Sequence, residues 1–304
     1  ARIFDPLGFF FFFFIRGKMI TQKLWLLGVD WDDKLPINIE EKAKFWIEEI
    51  QSIATVRIER CLIQQKESNV ELHMFCDASI DGYGSVCYLR GIKDETVIIR
   101  IVAAKSKVTP TKTVSIPRLE LMAACVSTKL AVKVVEVLQL DIARVVFWTD
   151  SVDVLYWVRE QSKRYKTFVA NRIGTIQAVT KANQWRHVPS KENPADILSR
   201  GVLAEELQHC ELWWKGPTFL QKDSAEWPNQ DVAEHFKRRE LKKEATFLAI
   251  NEIKLPGRNA LEPETFSCWE SLVRIRGWMR RFVYNSKKHS VLEKRRGKLD
   301  AQEL

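Results

Sequence analysis

The chain has 304 residues, enough for about two domains of ~150 residues each. Hydrophobic residues make up 46% of it and charged residues 29%, which argues against an intrinsically disordered protein. The formal net charge of +9 favours a polyanionic partner such as nucleic acid, although charge alone does not establish one.

Cysteines and histidines give no sign of a zinc site or a disulfide framework. The six cysteines are scattered and contain no Cys-x-x-Cys pair, and the five histidines form no His-Glu-x-x-His motif. This usage argues against a zinc ribbon and indicates a reducing compartment.

A run of phenylalanines, Phe9 to Phe14, stands near the start of the chain. It is far shorter than the ~20 apolar residues that span a bilayer, and it lacks the flanks of a secretory signal. We therefore expect no membrane segment and interpret the run as a drifted homopolymer tract, partly buried or prone to aggregate. Because the chain starts without Met and stops in a polar stretch, we expect a fragment of a longer protein.

The predicted elements follow in chain order. A helix is predicted over 39–53, with Ala43, Phe45, Trp46 and Ile50 on one buried face. Alternating and β-branched residues then predict three strands that form an antiparallel meander, over 71–76, 82–90 and 96–104.

The pattern changes after Pro110 to alternating helices and strands. The predicted order is a helix over 119–138, a strand over 144–148, helices over 152–160 and 167–180, a strand over 184–188 and a helix over 193–200. Three strands followed by this alternation predict a mixed five-stranded sheet with helices on its faces. Beyond residue 200, Trp213, Trp214 and Trp227 are interpreted as exposed aromatics of a linker, and charge runs follow at 237–244 and 293–298.

Four carboxylates occupy positions that suggest a shared site. Asp77 and Asp150 end predicted strands, Glu120 lies near the start of the long helix, and Asp196 starts the last helix. Taken singly, each is better explained as a turn residue, a favourable helix charge or a cap. Their joint order along the predicted strands and helices favours a shared site instead. Clustered carboxylates suit two hard divalent cations such as Mg²⁺ or Mn²⁺, which can promote phosphodiester hydrolysis.

The order of the acids also separates related enzymes. Integrases and transposases that share this general sheet end their acidic set with Glu on a late helix. Here Glu120 is second and Asp196 is last, which favours ribonuclease H.

Several strings carry a family resemblance, and together they are specific: 72–79, 82–84, 103–110, 116–121, 147–151 and 193–201. In these strings the chain resembles the ribonuclease H region of Pao-type (BEL) retrotransposon polyproteins, a family also filed under a peptidase name. The similarity extends upstream through 4–8 and downstream through 212–217.

The resemblance implies an α/β fold, a ribonuclease H-like mixed five-stranded sheet with flanking helices, plus mostly helical N- and C-terminal extensions. It implies four parts: 1–68 as the connection after the reverse transcriptase, 69–203 as the ribonuclease H-like domain, 204–260 as a Trp/Pro-containing and charged linker, and 261–304 as the truncated start of an integrase region.

The implied activity is two-metal hydrolysis of the RNA strand of RNA–DNA hybrids, leaving a 3′-hydroxyl. Asp77, Glu120, Asp150 and Asp196 take the roles of catalytic metal ligands for two Mg²⁺ or Mn²⁺ ions. The implied partners are the hybrid and the reverse transcriptase and integrase parts of the same polyprotein. The implied location is the cytoplasm within a virus-like particle, or the nucleus with the integration complex.

Candidate substrate contacts lie beside the acids and in a basic stretch. Ser79, Ser151 and Asn193 are small polar groups that could reach sugar hydroxyls, through which RNA differs from DNA. The basic residues that would grip the hybrid backbone are Lys163, Arg164 and Arg172. An ordinary solvated helical face explains that stretch equally well.

Two rival functions remain open. The loop over 188–193 lacks the mobile His of many ribonucleases H, since His187 falls earlier in the strand, and Lys191 or Glu192 would have to substitute for it. With the Phe run, this favours a decayed copy that binds nucleic acid or acts as a scaffold. An aspartic peptidase is the weaker rival, because neither Asp77 nor Asp150 stands in an Asp-Thr-Gly or Asp-Ser-Gly loop.

Overall fold

The computed structural model describes residues 5–53, 56–58, 62, 68–93, 96–139, 145–228, 240–241, 269–286, 295 and 297–299. The chain divides into two compact units, residues 1–242 and 243–304. A search of the described helices found none with both the length and the hydropathy needed to cross a membrane.

The described helices, in chain order, are α1 (Phe11–Leu27), α2 (Ile37–Ile53), α3 (Ile116–Leu138), α4 (Val152–Arg159), α5 (Thr167–Gln177), α6 (Ala195–Arg200), α7 (Ala204–Gln208), α8 (Glu211–Lys215) and α9 (Trp269–Ser286). Short 3₁₀ turns connect several of them. Helix α3 begins three residues before the predicted start, because Pro117 suits a first helical turn and Ser115 precedes it with an extended backbone.

One five-stranded sheet forms the centre of the first unit. Its strands are β1 (Ser68–Ala78), β2 (Gly82–Lys93), β3 (Thr96–Val108), β4 (Val145–Thr149) and β5 (Trp185–His187). The order across the sheet is β3-β2-β1-β4-β5, with β1, β2 and β3 antiparallel and with β4 parallel to both β1 and β5. The predicted meander and mixed sheet with flanking helices are confirmed.

The two faces of the sheet bury different sets of residues. Along β1, Leu72 and Met74 face a core cluster that also contains residues of α3, α4 and α5. Phe75 faces a second cluster that contains residues of α1, α6 and α7. This alternation follows from the two-residue period of a strand, and it makes β1 a central strand buried on both faces.

The Phe run forms the beginning of α1 and packs on the second face. Phe12 and Phe13 are fully buried, with Phe12 edge-on to Trp213 and Phe13 stacked on Trp46, both at 5.3 Å between ring centroids. Just before the helix, Gly8 has a φ of 79°, and a Cβ there would lie 2.0 Å from the Ala104 carbonyl oxygen. The expectation of partial burial is confirmed.

Two expectations about exposure were wrong. Trp213 is fully buried and Trp227 nearly so, because α8 and the turns after it cover the second face of the sheet. The spacing of these aromatics follows neither a helical nor a strand period, so their burial could not be predicted from the sequence pattern. On α2, Phe45 is 49% exposed, whereas Trp46 and Ile50 pack against the second core cluster.

The second unit is described mainly by α9. Within it, the Arg281 guanidinium donates to the carbonyl oxygens of Gly297 and Lys298, at 2.6 and 2.9 Å. Most of the charge run at 237–244 and half of the run at 293–298 lie outside the described residues. The four-part division of the chain stays a prediction.

Candidate functional site

Asp77 and Asp150 are adjacent at one edge of the sheet. Strands β1 and β4 are parallel neighbours, and Cys76 pairs with Thr149, so the residue after each reaches the same edge. Neighbouring strands lie ~4.8 Å apart. The carboxyl ends of two parallel strands therefore bring two carboxylates together, as the sequence predicted.

Glu120 joins them from the first turns of α3. Its Oε2 accepts a hydrogen bond of 2.6 Å from Ser151 Oγ, and Ser151 directly follows Asp150. The same Ser151 hydroxyl accepts from the Val154 N–H and so caps α4. One side chain thus fixes both the start of α4 and the orientation of Glu120.

Helix α6 supplies the fourth acid and a second hydroxyl. Ser199 Oγ donates to Asp77 Oδ2 at 2.6 Å, and Arg200 Nε donates to Asp196 Oδ1 at 2.7 Å. The N-cap of α6 is Pro194, so Asp196 does not cap this helix. Asp196 faces the site from the helix that also carries the hydrogen-bond donor to Asp77.

The carboxyl groups share a strongly negative environment. Burial, together with the charges of Asp150 and Asp196, raises the pKa of Asp77 to about 6, and the Ser199 hydrogen bond opposes the rise. Burial likewise raises the pKa of Glu120 to about 7, with contributions from Asp150 and Asp77 and an opposing hydrogen bond from Ser151. Each charge therefore disfavours ionisation of its neighbours.

The donor chemistry fits a hard divalent cation. In the described part of the chain, no group of three or more His, Cys, Asp and Glu side chains is arranged so that it could hold a metal ion. Oxygens of Asp77, Glu120 and Asp196 instead accept from Ser199, Ser151 and Arg200. The four acids nevertheless offer only oxygen ligands, and a cation would offset the burial and the repulsion that raise the pKa values of Asp77 and Glu120.

The small polar residues predicted to contact substrate lie beside the acids but already have protein partners. Ser79 Oγ donates to the Ser199 carbonyl oxygen at 2.6 Å and accepts from the N–H of Asp81 and of Gly82. Buried Asn193 donates to the Cys76 carbonyl oxygen at 3.2 Å. Both side chains hold α6 against the strand ends.

The basic residues predicted to grip the substrate do not form one continuous group. Lys163 and Arg164 are exposed in a 3₁₀ turn, and Arg164 pairs with Glu160. Arg172 lies on α5, with its guanidinium 3.4 Å from the centre of the Phe168 ring. Burial lowers the pKa of Arg172, and the nearby Tyr83 opposes this effect.

Sequence reasoning missed two partners of the acids and placed His187 correctly in β5. Ser199 and Arg200 lie three and four residues after Asp196, a spacing that puts all three on one side of a helix and could have revealed them. His187 lies against Asp150: burial lowers the pKa of the imidazole, while the Asp150 charge and a hydrogen bond to the Asp150 backbone raise it.

Comparison with known proteins supports the family. Residues 1–151 match the family described as the Pao retrotransposon-like RNaseH-like domain, a range that includes Asp77, Glu120 and Asp150. RNase H1 from the halophilic archaeon Halobacterium salinarum NRC-1 is 15% identical, over 43% of this chain and 93% of that chain, with a TM-score of 0.27. No curated protein matches the chain.

The fold assignment rests on the strand order and pairing described above, and the family assignment on the matched residues. Through residues 1–151, this chain belongs to the Pao retrotransposon-like family of RNase H-like domains.

Proposed function

We propose that this chain is a ribonuclease H that hydrolyses the RNA strand of RNA–DNA hybrids with two bound Mg²⁺ or Mn²⁺ ions. The observation that carries the proposal is the meeting of Asp77 and Asp150, at the ends of β1 and β4, with Glu120 of α3: burial and the Asp150 charge raise the pKa values of both Asp77 and Glu120. Asp196 completes the set from α6.

In this proposal the four acids hold the cations through carboxylate oxygens. When bound, the two cations activate a water molecule and stabilise the leaving oxygen of the phosphodiester. Ser151 and Ser199 keep Glu120 and Asp77 in fixed orientations, which limits the reorganisation needed before reaction. Arg200 pairs with Asp196 Oδ1 and would compete with a cation for that oxygen.

His187 is a candidate for handling protons beside the acids. Its side chain contacts the Asp150 backbone, and burial lowers the pKa of the imidazole, so it is neutral and able to accept a proton near pH 7. It takes the place of the missing loop histidine better than Lys191, which is exposed in the 3₁₀ turn over 190–192.

The substrate would be recognised by shape and by the ribose 2′-hydroxyl. Lys163, Arg164 and Arg172 provide phosphate contacts in this scheme, and Ser79, Ser151 and Asn193 line the region nearest the sugar. The reverse transcriptase and integrase parts of the same polyprotein are its proposed neighbours, within a cytoplasmic virus-like particle or a nuclear integration complex.

The test is cleavage of a labelled RNA–DNA hybrid by the full chain, with and without Mg²⁺. Wild-type protein should cut only the RNA strand, and Asp77→Asn and Asp150→Asn should each lower the rate by at least about 10²-fold. Asp81→Asn changes an exposed turn residue and should leave the rate unchanged. Cutting that survives both site variants, or cutting of a DNA duplex at the same rate, would contradict the proposal.

A binding remnant without activity is the second candidate. The observation that favours it is the ion pair between Asp196 and Arg200, which occupies one of the proposed ligands. Under this alternative, the folded wild-type chain binds the hybrid but does not cut it with Mg²⁺ or Mn²⁺. Restoration of cutting by Arg200→Gln would show that the ion pair is what blocks the site.

A further inference from the structure

A polar cavity of about 540 Å³ lies at the β5 edge of the sheet, outside the acidic site. Its principal lining residues are Arg159, Asn183, Arg186, His187, Ser224 and Trp227. We call it the β5-edge pocket. It is formed where the end of α4, the 3₁₀ turn before β5 and the turn over 224–226 meet.

Its two arginines differ from most others in the first unit. Five other arginines there pair with a carboxylate: Arg16, Arg90, Arg118, Arg164 and Arg200. Arg159 and Arg186 form no ion pair with any described carboxylate, although they line the same cavity. Two guanidinium groups that lack a carboxylate partner among the described residues repel each other, and an anion between them would convert that repulsion into charge-assisted hydrogen bonds.

Neutral donors complete the lining. The Asn183 amide is exposed and has no partner among the described residues. Ser224 Oγ makes only a long contact, 3.4 Å, to Asp223 Oδ1. That Asp223 oxygen is already engaged, because it accepts from the Ala225 N–H and caps the short turn. Guanidinium, amide and hydroxyl donors around one cavity are suited to phosphate oxygens.

An aromatic base would not stack in the pocket. The Trp227 ring is nearly buried and is already covered by the Arg186 guanidinium, which lies 5.4 Å from the ring centre. The same guanidinium lies 5.9 Å from the centre of Trp148. The indole rings therefore hold Arg186 in place, and the accessible part of the cavity is polar.

The pocket adjoins the acidic site through His187. This residue lines the cavity and also contacts the Asp150 backbone, so one side chain touches both the pocket and the strand end that carries Asp150. A strand whose reacting phosphodiester lies at the carboxylates would carry a neighbouring phosphate past the pocket.

We propose that the β5-edge pocket binds a backbone phosphate of a nucleic-acid strand, next to the phosphodiester at the acidic site. The recognised chemistry is a phosphate group held by Arg159 and Arg186, with Asn183 and Ser224 as neutral donors. The placement of the strand rests on the proposed function. The pocket itself rests on its own lining and charge.

The test measures hybrid binding by the full chain in EDTA, which prevents cutting, over a range of salt concentrations. Arg159→Gln should weaken binding about five- to tenfold and reduce the slope of log affinity against log salt by about 1. Lys133→Gln is the control: it removes the same charge near the far end of α3, where the surface pair with Glu136 is worth little. This control should bind as wild type does.

A modified hybrid identifies the strand phosphate. Replacing one phosphate beside the scissile position by an uncharged methylphosphonate should weaken wild-type binding, and Arg159→Gln should abolish that effect. Because Arg186 also packs on two tryptophans, Arg159→Gln and Asn183→Ala are the informative variants, and their thermal unfolding should match that of wild type.

Each outcome decides the proposal. The proposal would be overturned if Arg159→Gln bound the hybrid with the affinity and salt dependence of wild type. It would also be overturned if Lys133→Gln weakened hybrid binding as much as Arg159→Gln does. Arginine-dependent binding of inorganic phosphate without any effect on the hybrid would overturn the strand assignment and indicate a small phosphate ligand. Hybrid binding that depends on Arg159, without any cutting, would contradict the proposed ribonuclease activity but support the phosphate pocket. Hybrid binding and cutting that are unchanged in Arg159→Gln would support the activity and contradict the pocket.

Discussion

Replacing Asp77 by asparagine should stabilise the metal-free chain above pH 7 by up to about 3 kcal/mol. Burial and the charges of Asp150 and Asp196 raise the pKa of Asp77 from 3.8 to about 6. The folded state therefore holds this proton more tightly than the unfolded state. The resulting stability is fully present below pH 3.8 and is lost as the pH rises through about 6. A shift of that size corresponds to about 3 kcal/mol, and asparagine cannot ionise.

The assay is urea unfolding followed by tryptophan fluorescence in EDTA, from pH 4 to pH 8. His73 and His187 titrate in the same range, but burial lowers their pKa values, so they add stability as the pH rises. The difference between variant and wild type cancels the histidines and leaves the Asp77 carboxyl group, together with the part of the Glu120 pKa shift that the Asp77 charge causes; both contributions have the same sign. That difference should be near zero at pH 4 and should grow to its full value by pH 7.

The control is Asp81→Asn, which removes an equal charge from an exposed turn and should change stability by less than about 0.5 kcal/mol at every pH. A variant at position 77 that is no more stable than wild type at pH 8 would refute the reasoning. A gain of equal size at pH 4 and pH 8 would also refute it, because the gain would then not come from ionisation.

Three other outcomes are expected. Trp213→Ala should destabilise the first unit by about 3–5 kcal/mol in urea unfolding, because the ring is fully buried; Trp31→Ala, at a ring 95% exposed, should cost under about 0.5 kcal/mol, and equal losses would contradict the packing. Phe12→Ala should cost a similar 3–5 kcal/mol, and a neutral result would mean that the Phe run does not pack on the sheet. Ser151→Ala should raise the pKa of Glu120 in the metal-free chain above about 7 by removing its hydrogen bond, so the loss of stability on ionisation of Glu120 in EDTA should move to higher pH; an unmoved loss would mean that Ser151 does not stabilise the ionised Glu120.

Local patterns were enough to predict most of the first unit's secondary structure. The two-residue alternation of β1 and the β-branched residues of β3 predict strands because those preferences act over a few residues. The long helix was correct to within three residues at its start. The acids were found because Asp77 and Asp150 end strands, and parallel strands end at a common edge.

Other features of the site depend on contacts between residues far apart in the chain. The hydrogen bond from Ser199 to Asp77 joins residues 122 positions apart, and the cavity beside His187 depends on the turn over 224–226 packing next to β5. The spacing of residues along the chain does not predict contacts between residues so far apart.

The sequence by itself determined the order of helices and strands over 71–200 and singled out the four acids as candidates, since each depends on residue type and short-range spacing. Only the tertiary structure decided that Trp213 and Trp227 are buried and that the Phe run packs on the sheet. It also decided that the Ser199 hydroxyl donates a hydrogen bond to Asp77. The physical reason is that burial and side-chain pairing depend on which surfaces meet after the chain has folded. The type of a residue does not specify which residue it will contact.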